Sequence, residues 1–326
     1  MTEEIAPGLY RVEIPLPDDL LKSVNSYIIR GRPRNLIVDT GWYHEDSLKA
    51  MRRVLKNLAV DLDRTDFFIT HHHIDHIGLV FLLNNVKSAI YLAEPEARRV
   101  RYVGSGSLFT EIGQFLRLSG FPDQNVDHVL SPEVTQWYGE KTSLQLTHLS
   151  DGAGINIGDY RFTCVAVPGH SPGHMCLYES EKRLLIAGDH LLGDITPSIQ
   201  GRLDGSNPLK EYLASLERTR RLDIDRVLPG HRSAFRNHEG RIREIEEHHR
   251  QRNDEVLSIL RGGDKTAYQT ASEMNWNTGC DSWESFPVLH SFFATGEASA
   301  HLAYLEYRGD VRREMKGPLA VYSLAR

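Results

Sequence analysis

An apolar run, Phe67-Phe68-Ile69, leads straight into Thr70-His71-His72-His73-Ile74-Asp75-His76. The run reads as a short buried strand. His71 and His73 alternate, as two ligands at one strand end would. Asp75 and His76 follow where the chain turns into a helix begun by Ile77-Gly78-Leu79-Val80-Phe81-Leu82. One strand-to-helix turn therefore has to deliver up to four metal-ligating side chains to one small volume. Imidazole with carboxylate suits zinc, iron or manganese. A solvated, tag-like histidine run is the plain alternative. The internal position, the apolar flanks and the interleaved Asp75 argue against it.

Three further stretches share the design of an apolar strand ending in a tight turn with His or Asp. They are Val165-Ala166-Val167-Pro168-Gly169-His170, Leu185-Ile186-Ala187-Gly188-Asp189 and Val227-Leu228-Pro229-Gly230-His231. Gly and Pro supply the turn and let backbone approach a buried ion. Pro-Gly-His arises by chance, so each stretch alone is weak. Strand ends along one sheet edge converge in space, however far apart in sequence. Together the stretches give seven donors: His71, His73, Asp75, His76, His170, Asp189 and His231. One tetrahedral zinc takes about four ligands, or three plus water. Seven fit two metal ions sharing a carboxylate and a water.

The pattern H-x-H-x-D-H, then a lone His, a lone Asp and a last His, resembles the metallo-β-lactamase-fold hydrolases. Within them it is similar to the glyoxalase II-like dinuclear branch. The resemblance covers about residues 5–240. It implies an α/β fold, a four-layer αββα sandwich with two facing sheets and helices outside. It implies that His71, His73 and His170 hold one metal, that Asp75, His76 and His231 hold the other, and that Asp189 bridges them. It also implies two divalent ions per chain, zinc first, with iron or manganese fitting the same donors. β-Lactamases of this fold usually carry Cys at the bridging position. Here that residue is Asp189, and neither Cys164 nor Cys176 replaces a ligand, so β-lactam hydrolysis is not expected as the main activity. A one-iron sulfur dioxygenase is disfavoured too, because its second site is normally not filled and this one has its donors.

Two ions about 3.5–4 Å apart can share a hydroxide, since coordination lowers the pKa of water toward about 7. Attack on a carbonyl carbon, with Asp75 orienting the nucleophile and handling its proton, describes a hydrolase of ester-type substrates. Those are thioesters, lactones or related acyl compounds. The alternative is a metal-dependent nuclease or phosphodiesterase acting on RNA, as in some members of this fold with a C-terminal winged-helix-like domain. A net charge of −6 and the lack of a long basic run weigh against a nucleic-acid partner. Gly104-Ser105-Gly106-Ser107 lacks the G-x-S-x-G frame, and no glycine-rich turn matches a P-loop or dinucleotide fingerprint. No lysine/arginine signature for glutathione stands out in the C-terminal part, so the glyoxalase II reaction itself is not the first expectation.

The 326 residues allow roughly two domains at about 150 each. Strands are expected at 9–14, 25–29, 36–39 and 89–92, and a helix at 45–58 with Leu48, Met51, Leu55 and Leu58 on one face. Helical patterns at 96–102 and 108–118 make 94–143 a helical insertion. Strands resume at 144–149, 160–167, 175–179, 184–187 and 227–228. Asn207-Pro208 opens a helix running to 221. A long charged helix at 239–261 stops at Gly262-Gly263. Helices at 266–275, 287–295 and 298–307 follow, then a strand-turn-strand about Lys316-Gly317-Pro318. The expected domains are 1–240, holding the metal site, and 241–326, small, mostly helical and winged-helix-like. A DNA-reading role for 299–308 is disfavoured, because Glu306 opposes phosphate and Arg308 is its single arginine. This domain is expected to pack against the sandwich and shape the pocket.

No apolar run approaches the roughly 18 residues of a membrane span. Met1-Thr2-Glu3-Glu4 lacks an apolar signal region, and the three cysteines form no C-x-x-C pair. A cytoplasmic protein is expected, with a small-molecule acyl substrate, no membrane partner and room for a homodimer.

Several residues have plainer expected roles. His72 and His174 are expected to support ligands, and Asp39 to hold the metal loops. His190 either faces the pocket or lies buried as support. His248-His249 read as a solvated helix face, and His44, His128 and His148 have no partner at telling spacing. Arg308, Arg312, Arg313 and Lys316 read as a polar wing. Tyr102, Phe109, Phe115 and Phe121 read as packing within the insertion.

Overall fold

The computed structural model describes residues 1–17, 21–105, 107–131, 144–276 and 282–325. Cys280, the side chain of Tyr102 and the 132–143 part of the expected insertion lie outside the described residues. Seven strands form one mixed sheet in chain order: β1 (Thr2–Ala6), β2 (Leu9–Pro15), β3 (Ser23–Ile29), β4 (Asn35–Val38), β5 (Thr65–Phe68), β6 (Ile90–Leu92) and β7 (Leu146–His148). Pairing is antiparallel up to β4 and parallel beyond it. The second sheet holds β8 (Gly154–Ile157), β9 (Tyr160–Ala166), β10 (Met175–Glu179), β11 (Leu184–Gly188) and β12 (Arg226–Pro229), ordered β12-β11-β10-β9-β8. The helices are α1 (Glu45–Asn57), α2 (Ile74–Ile77), α3 (Val80–Leu83), α4 (Glu94–Ser105), α5 (Ser107–Leu118), α6 (Asp123–Val129), α7 (Pro208–Arg220), α8 (His238–Leu260), α9 (Ala267–Glu273) and α10 (Val288–Arg308). The hairpin β13 (Val311–Lys316) and β14 (Leu319–Leu324) closes the chain.

Alternation along the strands sorts side chains between two layers. Tyr27, Ile29, Leu36, Val38 and Phe68 meet Phe162, Cys164, Met175, Leu177 and Ile186 of the second sheet. Ile28, Ile37 and Phe67 point the other way, onto Met51, Val54 and Leu55 of α1. Outside the second sheet, Ser215 Oγ of α7 donates to the Pro168 carbonyl and Arg218 to that of Ala166. Helix, sheet, sheet and helix thus stack as the expected αββα sandwich.

The chain divides into two compact units. Of the described residues, Met1–Gly104, Trp137–Pro197 and Ser215–Ile242 form the first, and Ser105–Gln136, Ser198–Ala214 and Arg243–Arg326 form the second. α5 and α6, read from the sequence as an insertion in the first domain, pack with the C-terminal elements instead. Phe115, Phe121 and Val126 share a cluster with Tyr268, Val288 and Phe292. Val256, Leu260, Ala298, Leu302 and Tyr322 join α8, α9, α10 and the hairpin in another.

Two helical stretches also differ in extent from the sequence reading. The helix expected at 77–82 is two short ones, α2 and α3, separated by Gly78-Leu79. The helices expected at 287–295 and 298–307 are the single helix α10. Gly296 does not break it. Its missing side chain leaves room for the Gln200 amide, which a Cβ would strike. Gln200 donates to the Phe293 carbonyl and Asn207 to that of Ala303, so the 198–207 segment lies along α10. A groove-reading face is accordingly not displayed at 299–303.

Candidate metal centre

β10 runs antiparallel to both β9 and β11, while β11 and β12 run parallel. β9, β11 and β12 therefore point one way and end at the same sheet edge. Those ends carry His170, Asp189 and His231. β5 of the first sheet ends beside them and carries the 71–76 cluster, with His73 as the N-cap of α2 and Asp75 and His76 in its first turn.

All seven predicted donors converge there. His170 Nε2 lies 3.3 Å from His71 Nε2 and 3.1 Å from His73 Nδ1. Asp189 Oδ2 lies 3.5 Å from His76 Nε2, 3.4 Å from His231 Nε2 and 3.8 Å from His170 Nε2. Asp75 Oδ2 lies 3.3 Å from His231 Nε2 and 3.6 Å from His76 Nε2. Three overlapping groups result, each tight enough for a metal: His71, His73 and His170; His71, His76 and Asp189; Asp75, His76 and His231. His76 Nε2, His231 Nε2 and Asp189 Oδ1 are buried with no hydrogen bond among the described residues. Buried polar atoms ordinarily find a partner. These donors fit divalent cations.

Hydrogen bonds outside the cluster fix which nitrogen faces in. His231 Nδ1 donates to the Ser23 carbonyl at 2.8 Å, which leaves the Nε2 lone pair for the centre. Asp39 Oδ2 accepts from His76 Nδ1 at 2.7 Å and from Thr70 Oγ1 at 2.8 Å. Thr70 Oγ1, its proton committed, accepts from His71 Nδ1 at 3.0 Å. His174 stacks on His71 with ring centroids 4.8 Å apart and accepts from the Asp189 amide through Nε2. Pro229, just before His231, is held by Tyr27 Oη at 2.7 Å and Asn25 Nδ2 at 2.9 Å.

Two glycines let the loops meet. Gly188 has φ 50°, and a Cβ there would lie 2.7 Å from Thr70 Oγ1. A Cβ on Gly230 would run into Asp189 Oδ1 and reach within 2.9 Å of the His76 ring.

The charges complement one another. Burial pushes His71 and His73 well below the usual imidazole range, and neighbouring imidazoles add to it. Burial opposes the ionisation of Asp75, but His76 and His231 bring it down to about 2. Burial would also lower His231, yet Asp189 and Asp75 raise it to about 10. Asp189 stays well below the carboxylate range against its burial, through His231 and His76. One end of the centre is thus neutral imidazole, and the other holds ionised carboxylates with cationic histidines where no metal is bound.

The supporting residues fall out clearly. Asp39, His72 and His174 all brace ligand loops, as expected. His190 is fully buried, and its Nε2 lies 2.7 Å from Thr219 Oγ1. His44 caps α1, and His148 pairs with Glu94. His249 is not on a solvated face. It is buried, its Nδ1 lies 3.4 Å from His301 Nε2, and Tyr212 packs on its ring. Arg308, Arg313 and Lys316 pair with Asp310, Glu306 and Asp264, and Arg312 donates to Ser323. Sequence reasoning missed Glu96, Asn25 and Tyr27. Glu96 lies among Glu94, Arg98 and Arg99, where a surface residue is the ordinary reading.

The family model described as the metallo-beta-lactamase superfamily matches residues 20–231, a span that contains every donor. This chain belongs to the metallo-beta-lactamase superfamily. Among superfamily relatives, it is 24% identical over 308 residues to the probable metallo-hydrolase YqjP of Bacillus subtilis, covering 90% of this chain and 91% of that one. It is 27% identical over 229 residues to human acyl-coenzyme A thioesterase MBLAC2, covering 65% and 74%. The solved structure of a metallo-beta-lactamase family protein from Thermus thermophilus superposes with a TM-score of 0.83 at 28% identity, covering 98% of this chain and 100% of that one. These superfamily likenesses and the donor set make the protein a metal-dependent hydrolase. Among its described residues, no helix is long and apolar enough to cross a membrane.

Proposed function

We propose that this protein is a dinuclear metal-dependent hydrolase of acyl thioesters, with lactones and related acyl compounds as neighbouring substrates. The observation that carries the reading is the meeting of seven donors in overlapping groups around Asp189. His71, His73 and His170 would hold one ion, Asp75, His76 and His231 the other, with Asp189 between them; zinc suits the donors first, and iron or manganese also fit. The ions would supply Lewis acidity toward the carbonyl oxygen and acidify water near neutral pH.

The chain's own residues supply the rest. Asp75 is ionised at neutral pH and its side chain is 14% exposed, so it can meet an incoming water. We assign it the task of orienting that water and accepting its proton. His71, His76 and His231 are wholly buried, so these three donors are shielded from bulk water. In the net reaction the water oxygen bonds to the carbonyl carbon, the C–S bond breaks, and the thiolate leaves to be protonated. The products are a carboxylate and a thiol.

Support for the thioester comes from the acyl-coenzyme A thioesterase named among the relatives. The paired wing cations give a nucleic-acid partner little to bind. We read the protein as cytoplasmic, in keeping with the buried free thiols of Cys164 and Cys176. The test is a panel of acyl-CoA thioesters, lactones and single-stranded RNA, given to protein loaded with zinc, manganese or iron and assayed for metal content. Thioester turnover above lactone and RNA supports the reading. Turnover of RNA alone, or inertness of fully loaded protein toward every thioester and lactone, sinks it.

A further inference from the structure

Glu96, in the first turn of α4, is completely buried and accepts four hydrogen bonds from two separate loops. Its Oε2 accepts from the His72 backbone N–H at 2.8 Å and from His72 Nδ1 at 2.5 Å. Its Oε1 accepts from Ser171 Oγ at 2.7 Å and from the Gly173 N–H at 2.5 Å. One loop carries His71 and His73, and the other carries His170. Gly173 is the residue that lets the second loop come so close. A Cβ there would lie 3.0 Å from Pro95 Cβ and 3.2 Å from Glu96 Cγ. Two of the other donors are held by different means, His76 by Asp39 and His231 by the Ser23 carbonyl.

We propose that Glu96 is a positioning residue for one metal position alone. By spanning the two loops it sets the spacing of His71, His73 and His170, and so the affinity of the ion those three hold. The inference rests on the two-ion reading above. Its chemistry follows from the donors. Each Glu96 oxygen faces a backbone N–H, which cannot be turned around. A glutamine would have to aim its NH2 group at one of them. Glu96→Gln therefore keeps the volume and breaks the bridge on one side, whichever way the amide lies. Ser171→Ala removes one bond from the same bridge and leaves His72 alone.

The experiment is titration of metal-free wild type, Glu96→Gln and Ser171→Ala with cobalt and with zinc. Binding is followed by calorimetry and by the visible spectrum of the cobalt. Wild type takes up two ions. Glu96→Gln weakens one of them by about 10–100-fold, changes its cobalt spectrum and leaves the other within about threefold. Ser171→Ala weakens the same ion by a smaller factor. Equal weakening of both ions, or of neither, overturns the proposal. A second readout uses no metal. Imidazole 15N NMR of the ion-free protein shows His72 protonated at Nδ1 with a strongly deshielded proton, and Glu96→Gln moves that resonance. An unmoved resonance also overturns the proposal. A wild type that binds fewer than two ions sinks the two-ion reading instead, and the NMR result then decides the role of Glu96.

Discussion

Asp39 Oδ2 lies 2.7 Å from His76 Nδ1, with both side chains buried. The same carboxylate accepts from the Thr70 amide at 2.9 Å and from Thr70 Oγ1 at 2.8 Å. One side chain at the end of β4 thus sets the orientation of His76 and, through Thr70, of His71. Asp39→Asn replaces one acceptor with a donor against groups that all donate. Metal affinity is expected to fall about 10–100-fold, the usual cost of losing a ligand's outer partner. The ion-free chain should lose about 1–3 kcal/mol for the unmet buried groups. Calorimetric metal titration and urea unfolding of the stripped protein check the two parts. Unchanged affinity would remove Asp39 from the account.

His71 belongs to two of the donor groups, and Asp189 Oδ2 lies 3.4 Å from His231 Nε2, 3.5 Å from His76 Nε2 and 3.8 Å from His170 Nε2. His71→Ala and Asp189→Ala are therefore expected to lose metal and nearly all turnover. Several kcal/mol of lost electrostatic stabilisation means roughly a thousandfold or more in rate. Chelator treatment of wild type should do the same and be reversed by adding zinc back. Ions present at about 1,000 times their Kd contribute about 4 kcal/mol to stability, so the stripped protein should also melt lower. Metal content and thioesterase rate, measured on the same samples, decide it. Full turnover in chelated protein would refute a metal mechanism.

How much of this was legible in the sequence depends on where the signal lies. The convergence of the seven residues was, because the 71–76 cluster ends one apolar strand, His170, Asp189 and His231 each follow another with a Gly or Pro turn, and parallel strands bring such ends to one edge. The sandwich strands were, because Tyr27, Ile28 and Ile29 sit in an apolar run that two buried faces require. β1 was not. Its residues Thr2 to Glu4 are exposed at an edge, so no alternation marks them. Glu96 was not, since nothing local says that a carboxylate among charged neighbours will be covered by two loops. α10 was read as two helices, 287–295 and 298–307, whereas Gly296 lies within one helix and serves close packing with Gln200. For Glu96 and Gly296 the deciding partner is remote in sequence.

Gly230 is pinned on both sides. Its N–H donates to the Gly188 carbonyl at 2.7 Å, and its carbonyl accepts from the Asn25 N–H at 2.7 Å. The backbone cannot retreat from Asp189, so a methyl group on residue 230 must displace that carboxylate or the His76 ring. Gly230→Ala is expected to cost about 1–3 kcal/mol as an overpacked substitution. Because the displaced atoms are donors, metal affinity should fall at least tenfold even where the chain stays folded. Circular dichroism with metal titration separates the two effects. A folded Gly230→Ala protein with wild-type affinity would show that the loops have slack.

His249 and His301 supply a pH dependence away from the metal centre. His301 Nδ1 donates to Asn253 Oδ1 at 2.8 Å, so its Nε2 accepts from His249 Nδ1. Both imidazoles are neutral when folded. Burial pushes His249 down to about 3, with His248 and Arg252 adding to it, and His301 is lowered well below its usual range for the same reasons. In the unfolded chain each returns to about 6.5. Below that pH the unfolded state binds protons that the folded state refuses. The stability these groups contribute is therefore complete above pH 6.5 and declines as the pH falls toward 3. At pH 5, His249 alone accounts for about 2 kcal/mol, from 1.5 pH units at about 1.4 kcal/mol each. His249→Ala should cost about 2–4 kcal/mol at pH 7 through the lost ring packing. It should also show a shallower decline between pH 7 and pH 5 than wild type. Urea midpoints of the metal-stripped proteins at both pH values measure this. Parallel declines in the two proteins would mean that His249 takes up its proton while folded.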